Sequence, residues 1–105
     1  MIDKEKILTR IKTSIKSKNP ETKIILFGSR ARNDNAENSD WDILLLVDDE
    51  KVSNEIEDYY RDFLYDIELD TGHLISIFIY SKSYWKNTLK YSPFYKNINK
   101  DGIEL

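Results

Sequence analysis

This chain of 105 residues has no cysteine, one histidine, three glycines, two prolines and no long apolar run. Without cysteine there are no disulfides, no thiolate zinc site and no thiol nucleophile. With His73 as the sole imidazole, a histidine-rich metal centre is excluded. The longest apolar run, "ILLLV" from Ile43 to Val47, is far below the roughly 20 residues that a bilayer crossing needs. The opening "MIDKEKILTRIK" lacks the apolar core of a signal peptide. The expectation is therefore a cytoplasmic protein with no membrane partner. The scarcity of glycine and proline leaves no linker, repeat or low-complexity tract, so residues 1–105 read as a single domain.

Charge is present in quantity and unevenly placed. Sixteen Lys and Arg against nineteen Asp and Glu give a formal charge of -3. Residues 1–23 hold seven basic side chains against three acids, whereas residues 34–70 hold fourteen acids against two bases. That split argues against one broad basic face, so a nucleic-acid partner is not expected.

Apolar spacing gives a coarse order of elements. Ile7, Leu8, Ile11 and Ile15 recur at helical intervals behind Asp3 as a cap, predicting a helix over 3–18 that Asn19-Pro20 ends. "TKIILFGS" predicts a short buried strand closed by Gly28. "RARNDNAENS" reads as a polar loop that opens with a helical turn. "DWDILLLVDD" predicts a second strand, apolar on both faces and so central in a sheet. Residues 50–70 place Val52, Ile56, Tyr59, Tyr60, Phe63, Leu64 and Ile67 on one helical stripe, with Gly72 at the cap position. "HLISIFIY" predicts a third strand, "SKSYWKNTLK" a short helix, and "SPFYKNINKDGIEL" a tail. The fold class is α/β (α+β): a small mixed sheet of three or more strands flanked by helices, in the order α-β-β-α-β-α.

The chemistry concentrates in "FGSRARNDNAENSDWD". On a strand, Asp40 and Asp42 point to the same side, their Cα atoms about 6.5 to 7 Å apart at a rise of ~3.3 Å per residue, while Trp41 points away. Two carboxylates this close repel each other and call for a hard divalent cation, Mg²⁺ or Mn²⁺, held with substrate phosphates and water. Upstream, Gly28 allows close backbone approach to a ligand. Ser29 offers a hydroxyl, and Arg30 or Arg32 offsets phosphate charge. Alone, Gly-Ser is an ordinary turn and Asp-x-Asp a solvated strand entry; the conjunction is what points to a metal-bound nucleotide.

Gly28-Ser29 after one strand and Asp40-Trp41-Asp42 opening the next resembles the signature of the minimal nucleotidyltransferases of the DNA polymerase β-like superfamily. The likeness extends to the preceding amphipathic helix and the third strand. It implies that Gly28 and Ser29 hold nucleotide phosphates, that Asp40 and Asp42 bind metal, and that a nucleoside monophosphate, AMP from ATP, passes to a hydroxyl with release of pyrophosphate. It also implies, for a chain this short, an acceptor presented by a partner protein, as in toxin-antitoxin pairs in which such a domain adds AMP to a hydroxyl of a HEPN-type helical protein.

One feature of that signature is absent. The third strand should supply another carboxylate, and "HLISIFIY" has only Ser76 there. Three readings stand. Asp66, Glu68 or Asp70 reaches the site if the strand starts earlier; Ser76 or water fills the position in a slower enzyme; or the domain is a degenerate scaffold that acts by binding. A small-molecule adenylyltransferase is a further alternative, supported if a homo-oligomer completes an acceptor pocket with Tyr84, Trp85, Tyr91, Phe94 and Tyr95. His73 is expected at the surface.

Overall fold

The structure, a computed structural model, describes residues 4–36 and 39–105. Asp3, expected as the first helix cap, and Glu37 and Asn38 of the polar loop lie outside the described residues. The elements run α1 (Lys4–Lys18), β1 (Lys23–Phe27), α2 (Ser29–Arg32), β2 (Trp41–Val47), α3 (Asn54–Thr71), β3 (Ile75–Ser81), α4 (Lys82–Asn87), α5 (Pro93–Asp101) and β4 (Ile103–Glu104).

The four strands form one mixed sheet in the order β3-β2-β1-β4. β2 runs antiparallel to β1 and parallel to β3, and β4 adds antiparallel to the far edge of β1. The central place expected for "ILLLV" holds, because a strand covered on both faces needs apolar side chains on both. Odd positions Ile43, Leu45 and Val47 enter the larger core with Ile7, Ile11 and Ile15 of α1 and Tyr60, Leu64 and Ile67 of α3. Even positions Leu44 and Leu46 enter a second core with Trp85 of α4 and Ile98 of α5. The result is three layers, with α1 and α3 on one face of the sheet and α4 and α5 on the other.

Local chemistry sets the element ends. Ser53 accepts the Ile56 N–H, so α3 starts at Asn54; the expected start at residue 50 is corrected by this cap. Gly72 closes α3 as expected, with φ 74° and its N–H on the Glu68 carbonyl. Ser81 caps α4 through the Tyr84 N–H, and that helix stops at Asn87, short of the expected 81–90.

The segment read as a tail is instead α5 and β4. Ser92 caps α5 through the Tyr95 N–H, Pro93 occupies its first turn, and the Gly102 N–H closes it on the Ile98 carbonyl. Leu105 N then donates to Ile24 O at 2.8 Å, fastening the chain end to β1. Trp85, Phe94 and Tyr95 are therefore packing residues of the second core, while Tyr84 and Tyr91 stay exposed.

Candidate active site

Alternation along the sheet decides which side chains meet. Asp42 shares its side of β2 with Leu44 and Leu46, the side covered lower down by α4 and α5. In register beside it are Phe27 of β1 and Ser76 of β3. The Ser76 hydroxyl donates to Asp40 Oδ2 at 3.0 Å. Asp40, Asp42 and Ser76 thus converge at the top of the sheet, beside Phe27, Phe78 and Phe94, whose rings meet at 5.4 to 5.7 Å. Phe78 remains 41% exposed there.

Gly28 abuts this group from the β1 side. Its backbone has φ 75° and ψ −159°, a region open essentially to glycine alone. A Cβ at this position would collide with Asp42 Oδ2. The following turn is well tied down: Ala31 N and Arg32 N both donate to Gly28 O, and Asp34 N donates to Ser29 O. Asn33, at φ 61°, ends α2, and Lys4 of α1 grips the turn by donating to Arg30 O and Asn33 Oδ1, each at 3.1 Å.

The two arginines that the sequence presents as equivalent part company. Arg30 is buried, with its guanidinium 4.2 Å from the Trp41 ring centroid and donating to Ser39 O at 2.7 and 2.9 Å. It braces the Asp-Trp-Asp segment from behind, because Trp41 faces the α1 and α3 layer. Arg32 is exposed, paired with Asp34 at 3.0 Å, and lines a cleft with Gly28. Asp34 by hydrogen bond and charge, then Asp101 and Asp42 by charge, hold the Arg32 guanidinium protonated beyond its usual range.

Trp41 is 1% exposed and its N–H donates from the main chain to Leu74 O at 2.9 Å. His73 is half-buried and meets Trp41 edge-on at 6.1 Å, which corrects the expectation of a surface histidine. The acids at the end of α3 do not approach Asp42. Glu68 accepts the Ile75 N–H at 2.8 Å, Asp70 pairs with Arg10 at 2.6 Å, and Asp66 is exposed on α3. Since β3 starts at Ile75, the reading in which one of them supplies a third carboxylate is overturned.

Electrostatics favour a cation here. The Asp42 carboxyl is raised above its usual range, first by burial and then by the charge of Asp40, with Arg32 pulling it down. Among the described residues no cluster of three His, Cys, Asp or Glu exists. Two carboxylates and a hydroxyl, all hard oxygen donors, nevertheless fit a magnesium-type ion, which takes one or two carboxylates together with phosphate and water. A cation held by Asp40 and Asp42 would relieve the second of the two causes that raise Asp42, the charge of Asp40, burial being the first.

Beside Gly28 opens a cleft of about 380 Å³ lined by Phe27, Arg32, Phe94, Asn97, Ile98 and Asp101. Sequence reasoning did not bring Phe27, Asn97 or Asp101 to this cleft, and gave Phe94 only as one of the aromatics of an acceptor pocket completed by a homo-oligomer. The signal was the spacing of Phe94, Asn97, Ile98 and Asp101, which is one face of a helix, behind the Ser92-Pro93 start.

Residues 8–103 match the family described as Nucleotidyltransferase domain. A protein of Methanocaldococcus jannaschii named "Putative protein adenylyltransferase MJ0604" is 32% identical over 106 residues, covering 99% of each chain.

Proposed function

This chain belongs to the nucleotidyltransferase domain family, and from that premise we propose that it transfers AMP from ATP, with Mg²⁺ or Mn²⁺, to a hydroxyl on a partner protein. The observation that carries the reading is the convergence of Asp40 and Asp42 on one face, with Gly28 packed against Asp42 so that a phosphate can lie close to the backbone.

In this reading Asp40 and Asp42 hold the metal, which when bound neutralises phosphate charge and orients the attacking and leaving oxygens. Gly28 and Ser29 cradle the phosphates and Arg32 adds a cation from the cleft side. Arg30 serves through Trp41 by fixing the strand that carries both carboxylates. The acceptor oxygen bonds to the α-phosphorus as the bond to the pyrophosphate oxygen breaks, and the acceptor proton must leave.

Ser76 bears on that proton. It donates to Asp40, so it orients a carboxylate and takes no proton from the acceptor. Without a third carboxylate, an acidic acceptor is favoured. A tyrosine phenol, near pKa 10, gives up its proton far more readily than an aliphatic alcohol. A tyrosine acceptor therefore suits this site, and our reading places it on a HEPN-type helical partner in the cytoplasm; the M. jannaschii relative's name, a protein adenylyltransferase, supports a protein acceptor and no more.

The presence of Ser76 on β3 favours one second reading, a domain that binds nucleotide and partner without turnover. Label transfer from α-labelled ATP into host-lysate proteins separates the two. A band present with wild type and lost in Asp40→Asn and Asp42→Asn is the outcome expected of the transferase. No band, together with metal-dependent ATP binding, would support the binding protein.

A further inference from the structure

The cleft beside Gly28 shares Gly28 and Arg32 with the phosphate end of the site and extends away from the two aspartates to α5. Resting on the nucleotidyl-transfer reading, we propose that this cleft is the base subsite of the donor nucleotide, with adenine lying on Phe94 and its 6-amino group read by Asp101, flanked by Asn97.

Four observations carry it. The cleft is continuous with the turn that would hold the phosphates, so one nucleotide spans both. Its aromatic wall is built rather than incidental: Phe94 is half-buried, meets Phe27 at 5.4 Å and 77°, and meets Phe78 at 5.7 Å. Such a ring edge and face provide a surface on which a base can stack.

The polar groups are then placed beside that wall. Phe94, Asn97, Ile98 and Asp101 fall on one side of α5, with Ile98 buried in the second core as the anchor. Among the described residues neither the Asn97 amide nor the Asp101 carboxylate engages in a side-chain hydrogen bond; Asp101 acts on Arg32 by charge, but the hydrogen-bonding positions of both groups are open to a ligand. Finally, the charged groups are divided between the two walls of the cleft: Arg32 stands beside Gly28, where phosphate would lie, and Asp101, near enough to act on it by charge, stands on α5.

The donor pattern narrows the base. An ionised carboxylate only accepts hydrogen bonds, so Asp101 requires an N–H on the edge it faces, while Asn97 both donates and accepts. Adenine offers a 6-amino donor beside a ring-nitrogen acceptor. Hypoxanthine places an oxygen where that amine stands and sets two acceptors against each other.

The test is a binding titration of ATP, ITP and inorganic triphosphate with Mg²⁺, followed by the fluorescence of Trp85, whose ring lies 5.6 Å from Phe94. Wild type should bind ATP about tenfold or more tightly than ITP, the loss typical of a hydrogen bond to a charged group. Asp101→Asn should bring that ratio near one or invert it, since an amide can donate to the 6-oxygen. Triphosphate binding should not fall in Asp101→Asn, since that change removes only a negative charge near Arg32, and Asn97→Ala should weaken ATP alone. Equal affinity for ATP and ITP in wild type, or an unaltered ratio in Asp101→Asn, overturns the base assignment while leaving nucleotide binding in place. Should neither ATP nor triphosphate bind, with Asp40→Asn making no difference, the transfer reading itself fails and the subsite falls with it.

Discussion

Gly28 and Asp42 are packed so closely that no β-carbon fits between them: the space a side chain would take at 28 is filled by the Asp42 carboxylate. The contact joins the turn after β1 to the start of β2, so the residue that would cradle phosphate and the residue that would hold metal are positioned by one another. Gly28→Ala is expected to cost about 1–3 kcal/mol from its backbone conformation alone and to displace Asp42 as well. Thermal melting and Mg²⁺ titration of the variant should show a lower Tm and weakened metal binding together. Unchanged values for both would show that the turn relaxes without disturbing the carboxylate.

The raised Asp42 carboxyl gives stability and metal binding opposite pH dependences. Between its unfolded pKa and its higher folded pKa, the folded chain holds the proton more firmly than the unfolded chain. Stability of the free protein therefore falls as pH rises through that window and is lowest, as far as this group is concerned, once it is ionised. Metal affinity runs the other way, because only the ionised form is a ligand. Asp42→Asn should raise Tm at neutral pH, flatten the acid-side change and abolish metal-dependent ATP binding. Thermal melts across the acid-to-neutral pH range test the first two, and calorimetry the third.

Much of this arrangement was legible in the sequence, for identifiable reasons. "ILLLV" announces a strand buried on both faces, and strand alternation alone puts Asp40 and Asp42 on one side and Trp41 on the other. Ser76 was legible as the residue opposite them because β3 is a second long apolar run. What could not be read was the division of labour between Arg30 and Arg32, which depends on α2 turning one guanidinium onto Trp41 and leaving the other in solvent. Lysine and asparagine dilute the apolar signal of α5, so only its caps and the Phe94–Ile98 pair mark it. β4 is two residues long, and its pairing with β1 is a tertiary event with no local signature.

That division predicts opposite phenotypes for the two arginines. Arg30→Ala removes a buried cation stacked on Trp41 and two hydrogen bonds to Ser39 O, so a stability loss of roughly 2 kcal/mol or more is expected, with ATP affinity falling only as Asp40 and Asp42 lose their support. Arg32→Ala removes an exposed side chain whose pairing with Asp34 contributes little to folding. It should leave Tm within error while weakening ATP and inorganic triphosphate alike. Parallel melts and titrations decide the matter, and a Tm loss in Arg32→Ala without a binding change would remove it from the nucleotide site.

Ser76 offers the most direct intervention in the chemistry. It stands in register with Asp42 and hydrogen-bonds to Asp40, so a carboxylate built there lies within reach of both. Ser76→Asp adds a third negative charge to a pair that already repels, and the free protein should lose stability as a result, most at neutral pH and low salt. With Mg²⁺ the order should reverse, because the same charge adds a metal ligand and a base for the acceptor proton. If the chain carries out the proposed transfer and proton removal limits it, Ser76→Asp should raise transfer to an aliphatic hydroxyl by roughly 100-fold, the lower end of general-base effects, and transfer to a tyrosine by much less. Ser76→Ala should change either rate little, since it removes one hydrogen bond and no proton acceptor. Rates for serine-bearing and tyrosine-bearing acceptors measured side by side would expose the difference. An equal gain for both would place the limitation in metal binding, and no gain for either would mean that the missing carboxylate is not what sets the rate.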